Sequence, residues 1–111
     1  MKPRSASSGS AVRRYAQDAA RRLAAGDLDG AENAALCALA LAPDDSDLLH
    51  IAARIQTALG RPDQAIADLA RVLAQRPGDV AAWRDLAAAQ TAASALAAAV
   101  ETARHVVAQQ A

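Results

Sequence analysis

The most constraining feature of this sequence is a set of helix-breaking residues that recurs at an interval of 34 positions. When residues 26–45 are aligned with residues 60–79, seven of 20 positions are identical. Alanine supplies 34 of the 111 residues, so chance alone would produce some alanine matches. Chance would not align glycine, proline and aspartate in one register. The matched breakers are Gly26/Gly60, Asp29/Asp63, Pro43/Pro77 and Asp45/Asp79. The chain therefore contains an internal repeat, used about three times.

The segments between these breakers are typical of helices. From Ala11 onward, Ala, Leu, Arg, Glu and Gln dominate, and these residues lose little on entering a helix. Glycine favours a helix end, proline a first helical turn, and aspartate an N-cap. This punctuation predicts an all-α chain with helices at about 11–25, 28–41, 46–59, 62–75, 79–93 and 95–110. Residues 1–10 combine Pro, Ser, Gly, Lys and Arg, and we expect a flexible basic tail there.

The repeat resembles the tetratricopeptide repeat (TPR), whose signature of about 34 residues runs W-x2-L-G-x2-Y, then A-x3-F, then P. The third repeat opens with Trp83-x2-Leu86-Ala87-x2-Gln90, and the second continues with Ala65-x3-Leu69 and Pro77. The resemblance implies a right-handed α-solenoid of three helix–turn–helix units over residues 11–111. Its repeats would span about 12–45, 46–79 and 80–111, and small residues would allow close helix packing. Those residues are Ala19, Ala31, Ala53, Ala65, Ala87 and Ala99.

The third repeat departs from this pattern. Ser94 stands where the other repeats have Gly26 and Gly60, so one helix over about 79–110 is an alternative to two. A TPR array usually ends in a polar capping helix. Here the last helix carries Leu96, Val100, Ala103 and Val107 at helical spacing. We expect that this end was cut from a longer protein or that it pairs with something, for instance a second copy in a homo-oligomer.

Composition excludes several classes of protein. The formal net charge is zero and only Tyr15 and Trp83 are large aromatics, which argues against nucleic-acid binding. The longest uncharged run, Leu86–Val100, is too short and too polar to span a membrane. A single cysteine, Cys37, implies no disulfide scaffold, and no secretory signal opens the chain. We expect a cytoplasmic protein, and the alanine-rich repeats look bacterial.

The resemblance also implies where a partner would bind. In TPR proteins the first helix of each repeat lines a concave groove that holds peptides or extended segments. On a helical wheel, the side of residues 46–59 opposite the apolar stripe is polar, and the 34-residue offset transfers it to the other repeats. An acidic partner segment would suit the arginines. The candidate groove residues are Arg13, Asp47, His50, Arg54, Thr57, Arg84 and Thr91.

No residue pattern points to catalysis or to a bound cofactor. His50 lacks a second His or Cys at metal-ligand spacing, and Cys37 fits a small buried hydrophobe. Tyr15 and Trp83 occupy signature positions and are expected to pack between helices, while His105 is expected in solvent. The carboxylate clamp of heat-shock cochaperones is missing, since its positions include Ala16, Ala20, Ile51 and Ala81.

Three functions follow from these expectations. The leading one is a non-enzymatic interaction module that binds a partner polypeptide segment. The second is the N-terminal TPR segment of a larger enzyme of glycosyltransferase, sulfotransferase or hydroxylase type, serving substrate presentation or oligomerisation. The third is a self-associating structural module. Its charge basis is that residues 1–22 carry a net +5, residues 23–47 a net −6 and the rest +1, which would allow head-to-tail contacts.

Overall fold

The computed structural model describes the backbone of residues 3–110 and the side chains of residues 9–104 and 108. This part of the chain is all-α, with five helices and no strand. The helices are α1 (Pro3–Ala25), α2 (Leu28–Leu41), α3 (Ser46–Ala58), α4 (Pro62–Gln75) and α5 (Val80–Gln110). Neighbouring helices pack in sequence order, and α3 also contacts α1 and α5. The predicted all-α repeat architecture is therefore confirmed.

The turns after α1 and α3 and the starts of α3 and α4 lie at the residues that the repeat pattern indicated. Gly26 and Gly60 adopt φ angles of 83° and 80°, a left-handed conformation that glycine reaches without steric cost. Pro62 opens α4 in the first helical turn. The Asp45 carboxylate caps α3 by accepting the backbone N–H groups of Asp47 (2.9 Å) and Leu48 (3.2 Å). Asp79, one repeat later, accepts the N–H of Ala82 at 3.1 Å.

Two apolar clusters form the core, one on each side of α3. The first joins α1, α2 and α3 through Ala19, Ala31, Ala34, Ala35 and Ile55. The second joins α3, α4 and α5 through Leu49, Ala53, Ala65, Leu69, Val72, Ala82 and Ala89. The close-packing role predicted for Ala19, Ala31, Ala53 and Ala65 is confirmed, because each is almost fully buried.

A small hydrogen-bond network fixes the turn between α2 and α3 against α4. The Ser46 hydroxyl donates to Gln75 Oε1 at 2.7 Å, and Gln75 Nε2 donates to the Asp44 carbonyl at 3.0 Å. Arg71 donates to the Pro43 carbonyl at 3.2 Å and to Asp44 at 2.6 Å. Ser46 is buried, so its bond to Gln75 removes the cost of an unsatisfied hydroxyl. These bonds set the second repeat in register on the first.

The third repeat is one helix rather than two. The predicted break between residues 93 and 95 is absent, and α5 runs unbroken for 31 residues. The sequence there, Ala92-Ala93-Ser94-Ala95, contains neither the glycine nor the proline that ends α3 and begins α4. The close-packing role predicted for Ala87 and Ala99 is accordingly wrong, since both are exposed.

The amino-terminal helix also starts earlier than the sequence indicated. The structure begins α1 at Pro3, so residues 3–10 are helical rather than a flexible tail. Proline suits a first helical turn, and the Ser, Ala and Arg residues that follow allow the helix to propagate. Met1 and Lys2 lie outside the described residues.

The molecule is elongated because α5 extends past the rest of the stack. The radius of gyration is 17.1 Å, with extents of 70 × 30 × 20 Å. A compact domain of this length would have a radius of gyration of about 13 Å. α4 spans 14 residues and α5 spans 31, so over half of α5 has no antiparallel counterpart in α4.

Candidate binding groove

The first helices of the repeats, α1, α3 and α5, form one side of the molecule, which we call the inner face. α3 lies between the other two and contacts both, while α2 and α4 pack behind. All seven predicted groove residues are on these three helices and are exposed or half-buried, and we define the inner face by them. They are Arg13, Asp47, His50, Arg54, Thr57, Arg84 and Thr91.

The structure brings three of the predicted residues together where α3 meets α5. His50 Nε2 bonds to the carboxylate of Asp85, which lies on the first turns of α5. Arg54 and Thr57 line a small pocket of about 260 Å³ with Ala58 and the same Asp85. The inner face therefore contains a mixed patch, with one carboxylate flanked by an imidazole and a guanidinium.

Asp85 is the inner-face residue that the sequence reasoning missed. The 34-residue offset aligns it with Ile51, an apolar residue, so the polar stripe transferred from α3 omitted it. Successive helices are staggered, and His50 therefore meets a residue 35 positions later rather than 34. A signal was available, because the same repeat position is also polar in the first repeat, where it is Gln17.

Two predicted groove residues use their hydroxyls within their own helices. Thr57 Oγ1 donates to the Ala53 carbonyl at 3.0 Å, and Thr91 Oγ1 donates to the Ala87 carbonyl at 2.9 Å. Such bonds from threonine to the carbonyl four residues earlier are common on helix surfaces. Each hydroxyl already donates its hydrogen to a backbone carbonyl, so it can only accept a hydrogen bond from a ligand.

Asp47 forms an ion pair within the second repeat. Its carboxylate accepts a hydrogen bond of 2.8 Å from Arg76, at the end of α4. This bond and the attraction of the two charges raise the pKa of the Arg76 guanidinium above its ordinary value. Asp47 therefore joins the two helices of its own repeat through an ion pair, in addition to standing at the edge of the inner face.

Six of the ten arginines with described side chains are in ion pairs, and Arg13, Arg14, Arg54 and Arg84 are not. Arg61 pairs with Glu32 and Arg71 with Asp44 between the first and second repeats, and Arg76 pairs with Asp47 within the second. Arg13, Arg54 and Arg84 of the inner face make no ion pair with any residue whose side chain the structure describes. Three guanidinium groups are thus exposed on one side without a carboxylate of their own.

The basic and acidic blocks of the sequence meet within the chain. Arg22 and Arg21 bond to Asp18 and lower the pKa of its carboxyl. The backbone N–H of Gly30 and the Arg22 guanidinium both lower the pKa of Asp27. Arg22 is correspondingly held charged, because its bonds to Asp27 and Asp18 raise its pKa. These pairings leave fewer charges for a head-to-tail contact between molecules.

Three side chains differ from their predicted environments. Cys37 is exposed rather than buried, because the buried stripe of α2 runs beside it through Ala34 and Ala38. Tyr15 is 39% exposed and Trp83 is 53% exposed, so neither is enclosed between helices. Trp83 Nε1 donates to the Pro77 carbonyl at 2.8 Å and thereby holds its ring on the α4–α5 turn. The His105 side chain lies outside the described part of the chain.

The described side chains do not form a candidate metal site. Over residues 9–104 and 108, no group of three His, Cys, Asp or Glu side chains converges on a common point. None of the five helices combines the length and apolar character that crossing a bilayer requires, as far as the described residues show. The chemistry that this surface presents is hydrogen bonding and charge.

Comparison with known proteins settles the family. The tetratricopeptide repeat family model matches residues 22–89 and again residues 57–111, and together these matches cover most of the chain. The chain belongs to the tetratricopeptide repeat family. Its two matches overlap and are displaced by about one repeat, in agreement with the 34-residue period.

Family membership carries a general function. TPR repeats are generally protein–protein interaction modules, and the family is typically a non-enzymatic scaffold. No curated protein and no solved structure matches this chain. The identity of a partner must therefore be argued from the surface of this TPR protein itself.

Proposed function

We propose that this TPR protein is a non-catalytic interaction module that binds an acidic polypeptide segment along its inner face. The observation that supports this most directly is the division of the arginines. Six arginines pair with carboxylates of the chain, whereas Arg13, Arg54 and Arg84 have no such partner among the described side chains. Each lies on the first helix of a different repeat.

Guanidinium groups suit this task because they can grip a carboxylate with two parallel hydrogen bonds. An exposed pair of this kind contributes only about 0.2–1 kcal/mol. Binding would therefore use several pairs along an extended segment and would weaken as salt increases. Asp85 would help to orient the bound segment, because its carboxylate lines the same pocket as Arg54 and favours a hydrogen-bond donor at that point of the partner.

A peptide array tests this proposal. The array would hold end-capped peptides of one length whose content of Asp, Glu, Lys and neutral residues varies systematically. We expect binding to increase with acidic content and to weaken with salt. Arg54→Glu and Arg84→Glu each remove one pair and add a repulsion of similar size, so each should lower the affinity for the best acidic peptide by about two- to thirtyfold, measured by fluorescence anisotropy.

Arg14→Glu provides the matched control. Arg14 is an exposed arginine of α1 that the predicted groove set does not include, so the same charge reversal should leave peptide affinity nearly unchanged. Circular dichroism would verify that all three variants keep the wild-type helix content. Equal losses at Arg14 and Arg54 would show a nonspecific charge effect and contradict a groove, and binding independent of acidic content would contradict the acidic partner.

A further inference from the structure

The second half of α5 packs little against the rest of the chain, and among its described side chains only Leu96, Ala97 and Val100 border a cleft with residues 60–64 at the start of α4. By the 34-residue period, residues 96–109 correspond to α4, which packs against α3 as the second helix of its repeat. In α4 the matching residues Ala65 and Leu69 are fully buried. Their equivalents in α5, Ala99 and Ala103, are exposed, and Val100 on the same turn is 48% exposed. The small apolar surface formed by Ala99, Val100 and Ala103, whose equivalent is largely buried in α4, is therefore exposed to solvent in α5.

The first half of α5 lacks the helix that should cover it. In the second repeat, Leu49 and Ala53 of α3 share a buried cluster with Ala65 and Leu69 of α4. The equivalents of Leu49 and Ala53 are Trp83 and Ala87, and both are exposed on α5. The third repeat thus has an exposed surface, formed by Trp83 and Ala87, that corresponds to the surface of α3 covered by α4. We call this surface the seat.

The seat lies on the first half of α5, and the helix that would cover it is the second half of the same continuous helix. α5 continues as a helix through Ser94, where the other repeats turn, so its second half points away from its own seat. In a single chain, the two surfaces cannot meet while α5 stays straight. In two chains they can, because antiparallel α5 helices would place each second half on the other chain's seat.

We propose that two copies of this protein form a symmetric dimer by exchanging the second halves of α5. In this dimer the second half of each α5 completes the third repeat of the partner copy. The second repeat is the guide to the register, because Leu49 and Ala53 of α3 share one buried cluster with Ala65 and Leu69 of α4. By the same offset, the dimer would bring Ala99 and Ala103 of one copy against Trp83 and Ala87 of the other. The interface is self-complementary and closed, as domain-swapped dimers are. It goes beyond the proposed function and does not depend on it.

The dimer has a consequence for binding. Exchange uses the side of α5 that corresponds to the α4-facing side of α3, whereas Arg84 and Asp85 lie with the inner-face residues. Each copy therefore keeps the inner face around Arg54 and Arg84 open, whereas Thr91, one turn after Ala87, lies at the edge of the exchanged helix. The dimer thus presents two such surfaces. A partner with two suitable segments would bind such a dimer more tightly than either segment alone.

Oligomeric state tests the proposal with a matched pair of variants. Sedimentation and light scattering should give a dimer for the wild-type chain, with a dissociation that depends on protein concentration. Ala99→Glu should abolish the dimer while helix content stays unchanged, because Ala99 is exposed within one chain. Ala98→Glu is the control, since its repeat equivalent Gln64 is exposed in α4. A monomeric wild type, or a dimer that survives Ala99→Glu, overturns the proposal.

Cysteine pairing distinguishes exchange from a hairpin within one chain. The experiment uses Ala87→Cys with Ala99→Cys in a Cys37→Ser background, because Cys37 is exposed and would otherwise cross-link. Under mild oxidation, exchange produces a covalent dimer on a non-reducing gel. A disulfide within one chain would show that α5 folds back on itself, and this outcome overturns the proposal.

A turn restored at Ser94 should convert the dimer into a monomer. Ser94→Gly with Leu96→Pro supplies the third repeat with the residues of Gly60 and Pro62 at the same offset. The second half of α5 can then fold onto its own seat, and the hydrodynamic radius should decrease. A dimer unchanged by this double variant would show that the contact does not use the exchanged helix, and the proposal would fail.

Discussion

The second and third repeats share one sequence pattern and differ in structure. Over residues 46–75, α3 and α4 form a closed hairpin with Leu49, Ala53, Ala65 and Leu69 buried between them. Over residues 80–110, the corresponding segments form the single helix α5, and the corresponding residues are exposed. The difference shows that the apolar periodicity determines which side of each helix can pack. A few residues at the turn determine whether the two helices fold back on each other as a hairpin.

The energies of these turn residues account for the difference. In the interior of a helix, glycine costs about 1 kcal/mol and proline about 3 kcal/mol relative to alanine. Gly60 and Pro62 therefore oppose a continuous α3–α4 helix by about 4 kcal/mol together. Ser94 and Leu96 oppose continuity in α5 by well under 1 kcal/mol. Closure would also bury less in the third repeat, because Ala103 replaces Leu69.

The largest predicted effect tests how much the closed hairpin depends on its core. Leu69 of α4 is completely buried in the cluster that joins α3, α4 and α5, so Leu69→Ala should lower the free energy of unfolding by about 2–5 kcal/mol. Urea denaturation followed by circular dichroism would measure the change. Leu41→Ala is the control, because Leu41 at the end of α2 is 48% exposed and should cost under about 1 kcal/mol. Similar losses in both variants would contradict the closed core of the second repeat.

An exchange of turn residues sharpens the comparison directly. Gly60→Ser places the third repeat's residue at φ 80°, and we expect a loss of about 1–2 kcal/mol from the strained backbone alone. A Cβ at Gly60 would meet no atom within 4 Å, so no steric clash contributes. The reciprocal Ser94→Gly in the middle of α5 should cost only about 0.5 kcal/mol. Urea denaturation measures both variants, and a smaller loss at Gly60 than at Ser94 would contradict the assigned turn.

The smallest predicted effect concerns the half-buried Asp68 on α4. Burial raises the pKa of its carboxyl, and the positive charge of Arg71 only partly opposes this. The folded state therefore favours the protonated form, which contributes stability below the ordinary aspartate pKa of about 3.9. That contribution is lost as the pH rises through the folded-state pKa. The third repeat has Thr102 at this position and carries no such charge.

Asp68→Asn should consequently make the protein slightly more stable at pH 7. The gain should disappear below the ordinary aspartate pKa, where the wild-type carboxyl is protonated in both folded and unfolded states. Thermal denaturation at several pH values measures it. The effect is small because solvent reaches part of Asp68 and screens its charge. A variant that is less stable than wild type at pH 7 would contradict the burial cost.

Much of the fold could be predicted because it depends on local chemistry. Gly26, Gly60 and Pro62 end or begin helices through their own backbone preferences, which do not require knowledge of distant residues. The seven groove candidates lie on α1, α3 and α5, and their role in binding stays a prediction. Asp85 was not found, because its contact with His50 depends on how one helix is staggered against the next.

By itself, the sequence determined the repeat period, the helical class and the membership in the TPR family. These properties follow from backbone preferences and side-chain spacing within about one repeat. Only the tertiary structure decided which charges are already paired, which alanines are buried and whether the third repeat closes. Those outcomes depend on contacts between segments far apart in sequence, where packing and solvent exposure compete. Ala65 and Ala99 illustrate this division. They occupy the same position of the 34-residue repeat, yet Ala65 is buried and Ala99 is exposed.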